Sequence, residues 1–172
     1  MKLIVAVDEN WGIGKDKDQP YYIPEDLRFF KEKTMGKTII MGRITYNVLP
    51  TRPLKGRKNI VLTRQGSFPD VVTCNSLQSL AAYLASSGID GNDTFVIGGQ
   101  KVYEGLLNYC HTAYVTKVFA KADADCFFPN LDDLDNWQLI SQSPIKIHDN
   151  LQFCFCQYKN NAPKALFQII GL

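Results

Sequence analysis

Short β-branched runs alternate with helix-spaced runs along most of the chain, and that alternation predicts a mainly parallel sheet with crossover helices on its faces. Strands are expected near Leu3–Val7, Thr38–Met41, Asn59–Thr63, Val71–Thr73, Thr94–Ile97 and Ala113–Phe119. Between them the apolar spacing predicts helices near Pro24–Thr34, from about Thr45, over Leu77–Ala85 and over Gln100–Asn108. Late in the chain the rhythm changes. Trp137–Ser141 and Leu151–Tyr158, joined through a polar segment without a helical pattern, predict a long antiparallel hairpin at one sheet edge. No internal repeat or low-complexity linker interrupts the pattern.

The first helical segment, PYYIPEDLRFFKEKT, sets two carboxylates side by side. Pro24 suits the first helical position, and Glu25 and Asp26 in a first turn offset the positive end of the helix dipole, so helix-start chemistry alone accounts for both. Helical spacing nevertheless separates them. Glu25 shares a face with Arg28 and Glu32, whereas Asp26 lines up with Phe29 and Phe30 and adjoins Leu27. Asp26 is therefore the one expected to face inward. A carboxylate beside aromatic rings loses hydration and its pKa rises, unless a cationic or hydrogen-bond-donating ligand meets it. That cost makes Asp26 a candidate functional residue.

At 172 residues and 45% hydrophobic, the chain suits one core burying roughly 70% of its unfolded surface. Nineteen basic and seventeen acidic residues give a net charge of +2, with neither sign gathered into long runs. Small-molecule partners are therefore expected, rather than nucleic acid or a membrane surface. No apolar run approaches the roughly 20 residues needed to span a bilayer, and Met1–Val7 is too short and too soon acidic for a signal peptide, so a cytoplasmic location is expected. The cysteines at 74, 110, 126, 154 and 156 form an odd set without a C-x-x-C pair, which predicts reduced core thiols instead of disulfides or a zinc site. With His111 and His148 the two histidines, no metal centre or Ser-His-Asp constellation is expected.

In open α/β sheets ligands gather beyond the carboxyl ends of strands. Three such ends carry matching chemistry. TFVIGGQKVYEG is a strand, then Gly98-Gly99, then a helix start, where paired glycines let backbone approach a ligand and free N–H groups favour pyrophosphate. TIIMGRIT repeats that logic with Arg43 added, and NIVLTRQG ends a third strand with Thr63, Arg64 and Gln65. The usual dinucleotide fingerprint, with an acidic residue for the ribose hydroxyl, is missing. Two arginines just past strand ends instead suit a 2′-phosphate, because a guanidinium offers several donors in a fixed fork, and NADPH is the expected cofactor.

The segments AVDENWGIGKD, PYYIPEDLRFFK, IIMGRITY, RPLKGRKNIVLTR, VIGGQKVYE, YVTKV and CFFP, in this order, resemble dihydrofolate reductase over roughly Leu3 to Tyr158. The resemblance implies a mainly parallel eight-stranded sheet with an antiparallel edge hairpin, occupying residues 1–159, and leaves 160–172 as a tail of unknown role. It implies hydride transfer to C6 of 7,8-dihydrofolate with protonation at N5, giving tetrahydrofolate, and, from a family that is mostly monomeric, a monomer. Asp26 matches the acid that bonds the 2-amino group and N3 of the pterin, and Thr116 the threonine that braces it. Ile4, Val5 and Ala6 match first-strand residues flanking pterin and nicotinamide. Leu27, Phe30, Leu49 and Leu54 match the wall around the p-aminobenzoyl ring, with Ile97 beside the substrate, and Arg57 matches the clamp on the glutamate α-carboxylate. On the cofactor side the matching positions are Ala6, Ile13, Gly14, Gly42, Arg43, Ile44, Thr45, Leu62, Thr63, Arg64, Gln65, Ile97, Gly98, Gly99, Gln100, Lys101, Val102 and Tyr103. A cis peptide is expected between Gly98 and Gly99.

Two stretches depart from the family pattern. Lys15-Asp16-Lys17-Asp18-Gln19 leads into Pro20-Tyr21-Tyr22, so that Gln19 stands where an apolar side chain normally covers the nicotinamide and Tyr21 replaces a water-anchoring tryptophan. A tyrosine hydroxyl can also anchor water, so activity is expected to survive, with loop closure and product release altered. The tail NNAPKALFQIIGL is apolar for a chain end. Two alternatives share parts of this reading: a pyrimidine reductase of riboflavin biosynthesis, and a non-catalytic pterin or nucleotide binder.

Overall fold

The computed structural model describes residues 1–16, 19–166 and 168; the loop residues Lys17 and Asp18 and the tail residues Phe167 and Ile169 to Leu172 lie outside the described residues. In chain order the strands are β1 (Lys2–Val7), β2 (Gly12–Gly14), β3 (Thr38–Gly42), β4 (Lys58–Leu62), β5 (Val72–Cys74), β6 (Thr94–Gly98), β7 (Thr112–Val118), β8 (Cys126–Phe127), β9 (Trp137–Gln142), β10 (Lys146–His148) and β11 (Leu151–Asn160). The helices are α1 (Pro24–Thr34), α2 (Arg43–Val48), α3 (Leu77–Ser86) and α4 (Gln100–Leu106). α1 matches its predicted bounds because its end signals are local: Pro24 at the start, acids in the first turn and Lys31 and Lys33 in the last. α4 is shorter than expected, since Leu107–Tyr109 tightens into a 3-10 turn.

Across the main sheet the order is β10-β11-β7-β1-β6-β3-β4-β5, with β7, β1, β6, β3, β4 and β5 parallel. β11 runs antiparallel to β7. Its other edge is shared, Leu151–Phe153 pairing with β10 and Cys156–Asn160 with β9. Eight positions therefore span the sheet, although β9 makes a ninth strand. The predicted hairpin forms, and the polar segment within it contributes β10, whose three residues are too few to show a period.

Alternation along the central strands divides the core between the two faces. Leu3, Val5, Val7, Ile40, Ile60 and Val96 pack on one face with Val102, Tyr103 and Leu106 of α4. Ile4, Ile39, Met41, Val61 and Phe95 face the other way, toward Phe29, Phe30, Leu49 and Leu54. Cys74, Cys110, Cys154 and Cys156 are buried free thiols, while Cys126 is only partly buried, a correction to the expectation of five core cysteines. Burial pushes the Cys110 and Cys156 thiols up to about 12, which keeps both protonated and weakly nucleophilic. No helix among the described residues is long and apolar enough to cross a membrane. Residues 162 to 166 run back over the body: Lys164 N–H donates to Asn108 O at 2.7 Å, and Leu166 packs against the core.

Candidate functional site

The registers Met41↔Gly98 and Gly42↔Leu62 bring the carboxyl ends of β6, β3 and β4 level, next to that of β1. The cleft along this rim is lined at one end by Ala6, Ile13, Gln19, Pro20, Tyr21, Ile23, Asp26 and Val118. α1 lies over the face carrying Ile4, so Asp26 turns toward the sheet while its neighbour Glu25 sits beside His148 of β10. Thr116 Oγ1, in the centre of β7 and 1% exposed, donates to Asp26 Oδ1 at 2.5 Å. Burial pushes the Asp26 carboxyl above its usual range, and the Thr116 hydrogen bond pulls it back part of the way. One face of the carboxyl still opens onto the cleft, so it is desolvated without being sealed.

Two hydroxyls flank this acid. Tyr103 is 4% exposed and its hydroxyl donates to Ile4 O at 2.7 Å. The Tyr21 hydroxyl oxygen is buried with no hydrogen-bond partner among the described residues, and burial, with Asp8 and Glu9 adding their negative charge, pushes the phenol up. It is a polar atom of the cleft wall left to meet a ligand or water.

From Asp26 an apolar cluster continues along α1 toward the loop before β4. Phe30, Leu49, Leu54 and Ile97 pack against the buried Ile4, Met41 and Phe95, and Leu27, next to Asp26 in the helix, is 41% exposed. At the far end the Arg57 guanidinium lies 5.9 Å from the centre of the Phe30 ring and donates to Thr34 Oγ1 at 3.3 Å and to Lys55 O at 3.1 Å. These two donors hold the fork beside the Phe30 ring while leaving guanidinium N–H groups over. Asn59 holds the loop itself: its side chain accepts from Leu54 N–H and donates to Leu54 O and Arg57 O.

On the other side of the rim the glycines abut one another. Gly98 and Gly99 are joined by a cis peptide, with Gly98 at φ +120. A Cβ on Gly42 would come 3.2 Å from Val102 Cγ2, and one on Gly99 3.3 Å from Thr45 Oγ1, so side chains would fill this cradle. Gly99 O accepts from Val102 N–H and Tyr103 N–H, which starts α4 at the rim. Arg43 and the exposed Arg64 follow directly from the neighbouring ends of β3 and β4, and Thr63 Oγ1 exchanges hydrogen bonds with Gln65 N–H and O in the turn.

A family model described as dihydrofolate reductase matches residues 1–160. The chain belongs to the dihydrofolate reductase family. The dihydrofolate reductase of Bacillus subtilis is 42% identical over 171 residues, covering 96% of this chain and 98% of its own. That of Buchnera aphidicola is 35% identical, covering 91% and 95%. The bifunctional dihydrofolate reductase-thymidylate synthase of Glycine max is 38% identical over 91% of this chain. This chain spans about a third of the length of that relative and of its counterpart in Daucus carota. The family uses a nicotinamide cofactor, and the glycine cradle and the two rim arginines form a donor set that fits one.

Within this dihydrofolate reductase fold the expected positions are not all alike. Ile4, Val5, Val102 and Tyr103 are core residues whose side chains turn away from solvent, while Ile44 (50% exposed), Lys101, Arg64 and Gln65 stand outside. Gln100 is committed at both ends of its side chain, donating to Glu104 Oε1 and accepting from Phe127 N–H. Ile13, Gly14 and Leu62 are partly buried beside the cleft. The segment leading into the loop that departs from the family pattern, and the first two residues of that loop, are held by residues the spacing argument overlooked. Buried Asp8 accepts from Asn10, Gly12 and Ala122 N–H, Lys15 pairs with Asp123, and Asp16 N–H donates to Asp125 Oδ2. The signal for Asp8 was present: an aspartate ahead of a glycine-containing turn commonly bonds the backbone that follows it.

Proposed function

We propose that the protein reduces 7,8-dihydrofolate to 5,6,7,8-tetrahydrofolate with NADPH, one hydride adding to C6 and one proton to N5 while NADPH becomes NADP⁺. The observation that carries this reading is the desolvated Asp26 carboxyl, braced by Thr116, at the carboxyl end of a parallel sheet. An acid so placed suits the 2-amino and N3 edge of a pterin, whose two donors offset the lost hydration. Asp26 thus orients the pterin and favours its protonation, and the Tyr21 hydroxyl holds the water that brings the proton to N5. Phe30, Leu27, Leu49 and Leu54 flank the p-aminobenzoyl ring, and Arg57 clamps the glutamate α-carboxylate through its remaining donors. Bound NADPH supplies the hydride. Gly42, Gly98 and Gly99 let its backbone-facing groups approach closely, and Arg43, Thr63 and Arg64 take the 2′-phosphate.

On this reading residues 1–159 are the catalytic unit, acting as a cytoplasmic monomer, and the tail lies outside it. The test is spectrophotometric. Protein with NADPH and dihydrofolate should consume the reduced cofactor, and NADH should serve less well. Tight binding of both compounds without consumption would favour a non-catalytic binder, and turnover of a ribosylaminopyrimidinone in place of dihydrofolate would favour the pyrimidine reductase.

A further inference from the structure

α1 begins without a side-chain cap. Ile23, just ahead of it, is buried against Val118 and Phe153, which pins the start of the helix to the sheet but leaves rotation about the helix axis to other contacts. Asp26 and Phe29 supply them. Three residues apart, they share a helix face and are separated by about 4.5 Å along the axis, close to the spacing of about 4.8 Å between neighbouring strands. The sheet beneath offers a matching pair, because Thr116 of β7 and Phe155 of β11 are register partners. Asp26 Oδ1 accepts from Thr116 Oγ1 at 2.5 Å, and Phe29 stacks on Phe155 with ring centres 4.3 Å apart and planes at 25°. One rung of the sheet thus receives both contacts, one polar and one aromatic.

The stack is itself braced on both sides. Phe29 meets Tyr114 of β7 edge-on with ring centres 6.1 Å apart, and Phe153 meets Phe155 edge-on at 5.6 Å. Lys33 Nζ, one turn beyond Phe29, lies 4.5 Å from the centre of the Tyr114 ring and 5.3 Å from that of Phe29. Aromatic pairs prefer particular offsets and angles, whereas aliphatic side chains pack in many orientations, so the stack fixes an angle that burial alone does not. We propose that the Phe29–Phe155 stack sets the rotation of α1 and so presents the Asp26 carboxylate to Thr116 and to the cleft. Both phenylalanines are positioning residues: neither lines the cleft at Asp26, and they act on it through the helix turn. The titratable groups facing that carboxyl are the Tyr21 and Tyr103 phenols, and burial and the Thr116 bond set its ionisation. The positioning rests on geometry, whereas its consequence for the reaction rests on the reductase reading above.

The experiment has two arms. In the first, the Asp26 carboxyl is titrated without substrate by its NMR carbon resonance in aspartate-labelled protein, with Asp26→Asn identifying the signal. The Thr116 bond holds this carboxyl down against burial, so Phe155→Leu, which removes the ring and slackens that bond, should raise its pKa. In the Thr116→Val background the same substitution should move it no further, because the bond through which it acts is gone. Phe155→Tyr keeps the ring and should titrate as the wild type does. Phe29→Leu breaks the stack from the helix side, at a partly exposed position, and should reproduce the Phe155→Leu shift; it carries the test should Phe155→Leu fail to fold. In the second arm, kcat/KM for dihydrofolate near neutral pH should fall about fivefold in either Leu variant, the scale of a lost aromatic pair, with the pH profile displaced upward and Phe155→Tyr restoring both. An Asp26 signal unmoved in the Leu variants, or moved equally with and without Thr116, overturns the positioning role even where the melting temperature falls. A moved signal with unchanged kinetics overturns the link to the reaction. A wild type inactive toward dihydrofolate contradicts the reductase reading, while the titration still decides the positioning.

Discussion

Thr116 and Asp26 stand ninety positions apart and are joined by a 2.5 Å hydrogen bond from the threonine hydroxyl to the carboxylate. Burial raises the carboxyl's pKa and this bond lowers it, so the ionisation of the site is a balance between the two. Thr116→Val keeps the volume and removes the donor. The carboxyl pKa should then move further up, the pH profile of kcat/KM should shift to higher pH, and kcat/KM near pH 7 should fall about tenfold, as expected for losing a hydrogen bond to a charged group. A profile that does not move would detach Thr116 from the acid.

Asp26→Asn separates function from stability. Because the folded protein raises the acid's pKa, the neutral form is favoured on folding; the cost of ionisation is absent below the unfolded value and is fully felt above the folded one. The Asn variant should therefore have a higher melting temperature than the wild type at pH 7 to 8, with the gain fading in acid. Its turnover near neutral pH should drop by at least about a hundredfold while cofactor binding persists. Calorimetry and steady-state kinetics on the same samples check both halves.

Arg57→Lys retains a positive charge and loses the fork. Lysine can neither stack on Phe30 as a plane nor offer two parallel donors, so KM for dihydrofolate should rise about tenfold or more with kcat little altered. A fall confined to kcat would place Arg57 in the chemistry and not in substrate capture.

Arg64→Gln tests the assignment of the 2′-phosphate. The side chain is exposed, so folding should be unaffected, while KM for NADPH should rise about tenfold and KM for NADH should stay constant. Equal losses for both cofactors would argue that Arg64 serves the shared pyrophosphate.

Much of the fold could be read from local pattern. Pro24, the first-turn acids and the closing lysines bounded α1, and β-branched runs marked the buried parallel strands. What escaped were elements too short to carry a period: β2 and β8, which pair with each other, and β10. Helical spacing correctly separated Asp26 from Glu25, yet it could not reveal that Glu25 would meet His148, since that contact depends on how a helix crosses a sheet edge. The Tyr103 bond to Ile4 O and the reach of Asp8 to Ala122 N–H were hidden for the same reason. Side chains whose partners are local can be assigned from spacing, and those whose partners come from another element need the fold.

The most direct measurement is a structure of the protein with folate and NADP⁺ bound together. The account predicts the Asp26 carboxylate within about 3 Å of the pterin N3 and 2-amino group, with the nicotinamide alongside and the 2′-phosphate at Arg43 and Arg64. An Asp26 turned away from the pterin toward solvent, or the two ligands held in separate crevices, would contradict it.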